Sequence, residues 1–186
     1  MGHADGRLSW DALLGEMVAA AARLTRAAPD AFPSSTPRPG ANDADIAAAA
    51  ARIGRPLDAQ HEALLRHADG WTSAFLGGDV LSTRQLGAGR LWTDAQASLD
   101  TFYAEGDPRG WPPRTELVPL HASSHDIDVM ALWLGGPTTD GGHPVLWFAG
   151  ELVGRWPDVR AWWRQMLVVQ GQSLAHVHAL TGGAPS

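Results

Sequence analysis

The fold is decided by the stretch Asp43–Trp71, DADIAAAAARIGRPLDAQHEALLRHADGW. It predicts two short amphipathic helices joined by a sharp bend. In the first, from Asp43 to Ile53, the side chains of Ile46, Ala49, Ala50 and Ile53 share one face at helical spacing. Asn42 is placed to cap its start, and Gly54 stands where a left-handed stop is wanted. Pro56 lacks the amide proton that a continuing helix needs. The second helix starts at Asp58 and runs to about Ala68, with His61, Leu64, Leu65 and Ala68 along one side. Glu62 and Arg66 form a favourable i, i+4 pair on another side, and Gly70 ends the helix.

Upstream, Trp10, Leu13, Leu14, Met17, Val18, Ala21 and Leu24 make an apolar stripe, so a helix is expected from about Ser9 to Arg26, capped by Ser9. Four prolines, two serines and a glycine between Pro29 and Asn42 read as a linker. The expected organisation is an N-terminal helical extension (1–28), a Pro-rich linker (29–41), a main domain (42–180) and a flexible tail (181–186). Downstream, Ser73–Thr83 predicts short strands around a Gly-Gly-Asp turn, and Leu91–Gly106 has near-helical spacing. Strands are expected at Glu116–Ala122, Asp126–Leu134 and His143–Leu152, with Glu151–Trp156 pairing back after a turn at Ala149-Gly150. A last helix starts near Pro157 and carries Val159, Trp162, Trp163, Met166 and Leu167 on its apolar side. Helices, then antiparallel strands, then a helix indicate an α+β fold. The sheet is expected to have four to six strands, with the C-terminal helix packed on it.

Composition excludes several chemistries. The chain has no cysteine, hence no thiol nucleophile and no thiolate metal site. All 14 of its basic residues are arginine, so Schiff-base chemistry and a phosphate-gripping lysine are excluded as well. A net charge of -6 disfavours nucleic acid and favours a basic partner. No apolar run approaches the ~20 residues that span a bilayer, and Met1–Asp11 lacks a secretory pattern, so no membrane association and a cytoplasmic location are expected.

The motifs that resemble active sites fall short on spacing. His61-Glu62 opens a zinc-protease motif, but position 65 is Leu, and His67 lies about 240° round the helix from His61. His121, His125, Asp126 and Asp128 cluster near a strand start and offer transition-metal donors; the plainer reading is a polar hairpin entry that protects a sheet edge. Ser123 and Ser124 beside His125 and Asp126 lack the elbow of a serine hydrolase. Most of the nine Trp sit on apolar faces. Trp111, in a Pro/Gly loop between charges, and Trp71, just past a helix stop, are candidate binding anchors.

The Asp43–Trp71 stretch resembles the SUKH superfamily, the Smi/Knr-type cell-wall-assembly regulators. The resemblance rests on Ile46, Gly54, Pro56, Leu57, Leu64, Leu65, Gly70 and Trp71, and covers about Asn42 to Gln170. Asp69 departs from the asparagine common there, without consequence for the stop. The resemblance implies an α+β domain without catalysis or cofactor, whose bacterial relatives include immunity proteins that neutralise a cognate toxin. The expected function is therefore protein binding as a monomer or weak dimer, with Asp107, Trp111, Asp126, Asp128 and Trp71 as candidate partner contacts. The alternatives are a housekeeping regulatory or scaffold protein, and a metal-dependent hydrolase built on His121, His125, Asp126 and Asp128.

Overall fold

The chain folds as helices on both faces of a six-stranded antiparallel sheet. The computed structural model describes residues 8–106 and 108–182. The elements are α1 (Trp10–Ala27), α2 (Asp43–Ile53), α3 (Ala59–His67), β1 (Trp71–Phe75), β2 (Gly78–Val80), α4 (Gly89–Phe102), β3 (Leu117–Ser123), β4 (Val129–Trp133), β5 (Val145–Phe148), β6 (Leu152–Trp156) and α5 (Val159–Thr181). The strands lie in the order β1-β2-β3-β4-β5-β6, each antiparallel to its neighbour. The fold is α+β, as the sequence indicates.

The opening stretch folds as its caps dictate. Asn42 Oδ1 accepts the Asp45 N–H at 2.9 Å, and Gly54 takes the left-handed conformation at φ 73°. Asp58 Oδ1 accepts the N–H groups of Gln60 and His61, both at 2.9 Å, and so starts α3. Glu62 and Arg66 pair at 2.9 Å across one turn.

Alternation along the strands sends apolar side chains to both faces. In β4, Met130 and Leu132 point to the face covered by α1, α3 and α5, while Val129 and Ala131 point to the face covered by α4. The first face holds the larger core, built on Leu13, Met17, Leu64, Trp71, Trp162 and Trp163. The second packs Leu99 and Tyr103 against Leu117, Leu146 and Phe148. α2 closes a third, smaller cluster of Ile46, Ala49, Leu65, Leu81 and Leu86.

Four expectations change. The N-terminal helix, set apart by its linker in the sequence, is part of the main core. Trp10, Leu13, Leu14, Met17 and Leu24 are buried, and Trp163 Nε1 donates to Leu13 O at 3.2 Å. Full burial of such a side chain contributes about 1.5–3 kcal/mol, so the stripe together matches the ~5–15 kcal/mol net stability of a whole domain. The linker is also pinned. Arg38 N–H donates to Gly70 O, Asp69 N–H to Pro39 O, and Ser35 Oγ to Ser73 O. Pro39 forms an isolated antiparallel bridge with Ala68, just ahead of β1.

The first hairpin turns at Leu76-Gly77, not at Gly-Gly-Asp, because Phe75 pairs with Gly78. Gly78 is needed inside β2: a Cβ there would stand 2.5 Å from His121 Cε1. Gly78→Ala is therefore expected to lower stability by about 1–3 kcal/mol, the cost of overpacking, readable as a fall in the urea midpoint. Finally, Asp158 rather than Pro157 starts α5, its Oδ1 accepting the Ala161 N–H at 2.7 Å. α5 runs unbroken through Gly171 to Thr181, so the tail expected at 181 begins no earlier than Gly182; residues 183–186 lie outside the described residues.

Candidate partner-binding site

In a meander the hairpin turns alternate between the two ends of the sheet. The β1–β2, β3–β4 and β5–β6 turns fall at one end, and the β4–β5 loop falls at the other.

At the β4–β5 end a buried carboxylate organises three elements. Asp58 caps α3 with Oδ1, while its Oδ2 accepts the His143 backbone N–H at 2.7 Å and His143 Nδ1–H at 2.8 Å. Beside it, Gln60 Nε2 donates to Thr139 O and Asp140 O, and Gln60 Oε1 accepts the Arg160 N–H. α3, the β4–β5 loop and the start of α5 are thereby locked together.

The opposite end carries the sequence-predicted site residues in part. Asp126 and Asp128 lie in the β3–β4 turn rather than in a strand, and do not present one strand face. The turn is built by Ser123 Oγ, which accepts the N–H groups of His125 and Asp126, and by Asp126 Oδ1, which accepts the Asp128 N–H at 3.0 Å. Asp126 is exposed and Asp128 half-buried, its Oδ2 accepting Trp147 Nε1–H at 3.3 Å. Burial, and then the Asp126 charge, push the Asp128 carboxyl above its ordinary value. Among the described residues neither carboxylate has an ion-pair partner.

His121 turns away from this pair. Its ring stacks on Phe75 at 4.8 Å, Nε2–H donates to Phe75 O at 3.2 Å, and the residue is 1% exposed. The four donors of the metal reading therefore do not converge, and among the described residues no group of three or more His, Asp or Glu is arranged around an ion. Trp71 is 1% exposed and donates its Nε1–H to Ser35 Oγ, so it is a core residue and not a contact for a partner. Trp111 is half-buried, edge-on to Tyr103 at 5.5 Å and to Phe148 at 5.2 Å; it seals the α4 face. Asp107 lies outside the described residues.

Next to the acidic turn lies a cleft of about 480 Å³, walled by the end of α1, the linker, β1 and the middle of α5. This is within the ~300–1,000 Å³ of ordinary ligand sites. Leu24, Phe32, Pro33, Phe75, Leu76 and Val169 supply its apolar wall, and His125 brings the β3–β4 turn to its rim. Among the described residues no Asp, Glu or Arg lines it. Two of its residues hold left-handed backbone without being glycine: Ser73 at φ 51° and Leu76 at φ 52°. For a leucine this conformation costs about 1–2 kcal/mol, where asparagine before glycine is the favoured turn. Gln170 lines the cleft at 6% exposure. Its Nε2–H donates to Ala74 O at 2.9 Å, while Oε1 has no hydrogen-bond partner among the described residues.

These cleft residues escaped the sequence reading, although two carried a signal. Leu76 precedes a glycine pair where a turn former belongs, and Gln170 breaks the apolar stripe of α5 four residues after Met166. Fold and cleft together define the class: a two-faced α+β meander with a largely apolar cleft at its hairpin end. No family model matches the chain, and no curated protein matches it either. Among the described residues no helix is long and apolar enough to cross a membrane.

Proposed function

We propose that this chain is a non-catalytic protein-binding domain of the SUKH type, acting in the cytoplasm as an immunity protein against a cognate toxin. The observation that carries the reading is the β3–β4 turn, where Asp126 and Asp128 stand without a cationic partner among the described residues and His125 borders a largely apolar cleft. A cation from a partner relieves their mutual repulsion, and an apolar side chain fills the space beside them. The net charge of -6 adds long-range attraction for a basic protein and speeds encounter. The element order also supports the reading: a helix pair bending at Gly54 and Pro56, a stop at Gly70, then strands and a closing helix are what the SUKH resemblance leads one to expect.

Co-expression with the toxin encoded beside this gene is expected to restore growth. If the wild-type chain leaves every neighbouring toxin lethal, the immunity role is wrong. Capture of a housekeeping protein from the native cell then favours the regulatory alternative.

A further inference from the structure

The core stripe of α1 leaves its opposite side in solvent, beside the second half of α5. Two joined grooves of about 310 and 570 Å³ run between the helices there. Glu16, Ala19, Ala20, Arg23, Arg26 and Ala27 line them from α1, and Ala12 continues that line one turn earlier. On the α5 side Leu167 and Leu174 make an apolar wall around Gly171, where a Cβ would meet nothing within 4 Å. We propose that a second copy of this chain docks here, its α1 lying antiparallel in the groove. The proposal is independent of the immunity role and of the cleft beside β1.

Charge names the occupant. The groove is acidic at Glu16 and cationic at Arg23 and Arg26, and all three side chains are exposed. None of them makes an ion pair or a hydrogen bond among the described residues. Glu16 and Arg23 lie about 10 Å apart along the helix axis, too far to pair with each other. A parallel copy of α1 would set like charges together. An antiparallel copy, turned about a two-fold axis between Ala19 and Ala20, sets Glu16 against Arg23 of the second copy and Arg23 against its Glu16. The same axis sets Ala19 against Ala20 and Ala12 against Ala27, so small side chains meet and the backbones approach closely. One axis satisfies all these pairings, which is the condition for an isologous contact. A foreign helix would have to reproduce the pattern that this chain already carries. Arg26 and His178 then meet the start of the second copy's α1, which has Asp11 in its first turn. The net charge of -6 opposes encounter at long range, so the contact is favoured at salt that screens it.

Sedimentation equilibrium of the full chain, at about 150 mM salt and from about 5 to 500 µM protein, tests this. The mass is expected to rise from monomer toward dimer across that range. Glu16→Arg and Arg23→Glu each put like charges together at both ends of the contact and should weaken self-association about ten-fold or more. An equimolar mixture of these two variants should associate as wild type does, because each offers the other the opposite charge at both ends. Gly171→Trp fills the groove and should leave a monomer. A wild-type chain that stays monomeric throughout overturns the proposal. So does a dimer that the single reversals leave intact, or that mixing them fails to restore. If a reversal unfolds the chain, Gly171→Trp decides, and a dimer that survives it overturns the proposal. A monomer that neutralises a toxin, and loses this with Gly171→Trp, gives the face to a foreign partner; the second copy is then wrong while the immunity role stands.

Discussion

Acidification from pH 7 to pH 5 is expected to remove about 2 kcal/mol of stability for each of two buried histidines, roughly 4 kcal/mol in all. His61 and His121 are fully enclosed, and their pKa values are lowered from the usual 6.5 to about 4. Burial is the main cause for both; the Asp58 charge opposes it at His61, and the hydrogen bond to Phe75 O opposes it at His121. The sign follows from which state takes up protons. Above pH 6.5 both states are neutral and the stability is intact. Between 6.5 and 4 the unfolded chain binds protons that the folded one refuses, so stability falls as the pH drops, by about 3 kcal/mol per histidine at pH 4. Asp128, with its raised pKa, acts in the opposite sense, but it is only half-buried and solvent screens its contribution. Urea unfolding at pH 7, 6 and 5 measures the effect. A loss below about 1 kcal/mol by pH 5 contradicts two neutral buried rings.

His61 offers a sharper version of the same test. Among the described residues neither of its ring nitrogens has a hydrogen-bond partner. An orphaned buried polar group carries a desolvation penalty of about 1–3 kcal/mol, which an apolar side chain of similar size avoids. His61→Leu is therefore expected to raise stability at pH 7 by about 1–2 kcal/mol and to halve the loss on acidification. A variant less stable than wild type at both pH values means that the ring has a role this packing does not express.

Removing the Asp58 carboxylate is expected to cost about 3–5 kcal/mol, because its four donors lose their shared acceptor together. Gln60 and His61 lose the cap of α3, and His143 loses both its backbone and its ring acceptor. Asp58→Ala should therefore lower the urea midpoint at pH 7 with an unchanged slope. Asp58→Asn keeps one oxygen for the cap but turns an amide toward the two His143 donors, and should fall in between, at about 2 kcal/mol. A loss below about 1 kcal/mol for Asp58→Ala would show that water replaces the carboxylate easily. Under the proposed immunity role, residual folded protein should still neutralise, because the node stands at the end of the sheet away from the cleft.

Much of the local structure was legible in the residues. Ser9, Asn42 and Asp58 mark three helix starts, and Gly54 marks a stop, because a cap is a contact over two or three residues and needs no distant partner. The antiparallel strands from Leu117 to Trp156 follow from alternation and turn residues, which are equally local. The acidic turn was also visible as Asp126 and Asp128, though its conformation was not. Serine at 123 accepts two turn amides, and that delays the next strand to Val129.

The site was legible only in that part. A cleft is made by surfaces from α1, the linker, β1 and α5, which reach from Ala21 to Ser173 along the chain, and no periodicity encodes which of them meet. Trp71 illustrates the same limit: a tryptophan after a helix stop reads as an anchor until α5 covers it with Trp163, 6.5 Å between ring centroids. The N-terminal helix was recognisable by its stripe, but its place in the core was set by packing against α5, 150 positions away. Sequence alone determined the elements, their caps and the charge that suits a basic partner, since these depend on neighbouring residues or on simple sums. Only the tertiary structure decided which faces close and which stay open, since burial is settled by whatever else the chain brings to the same place.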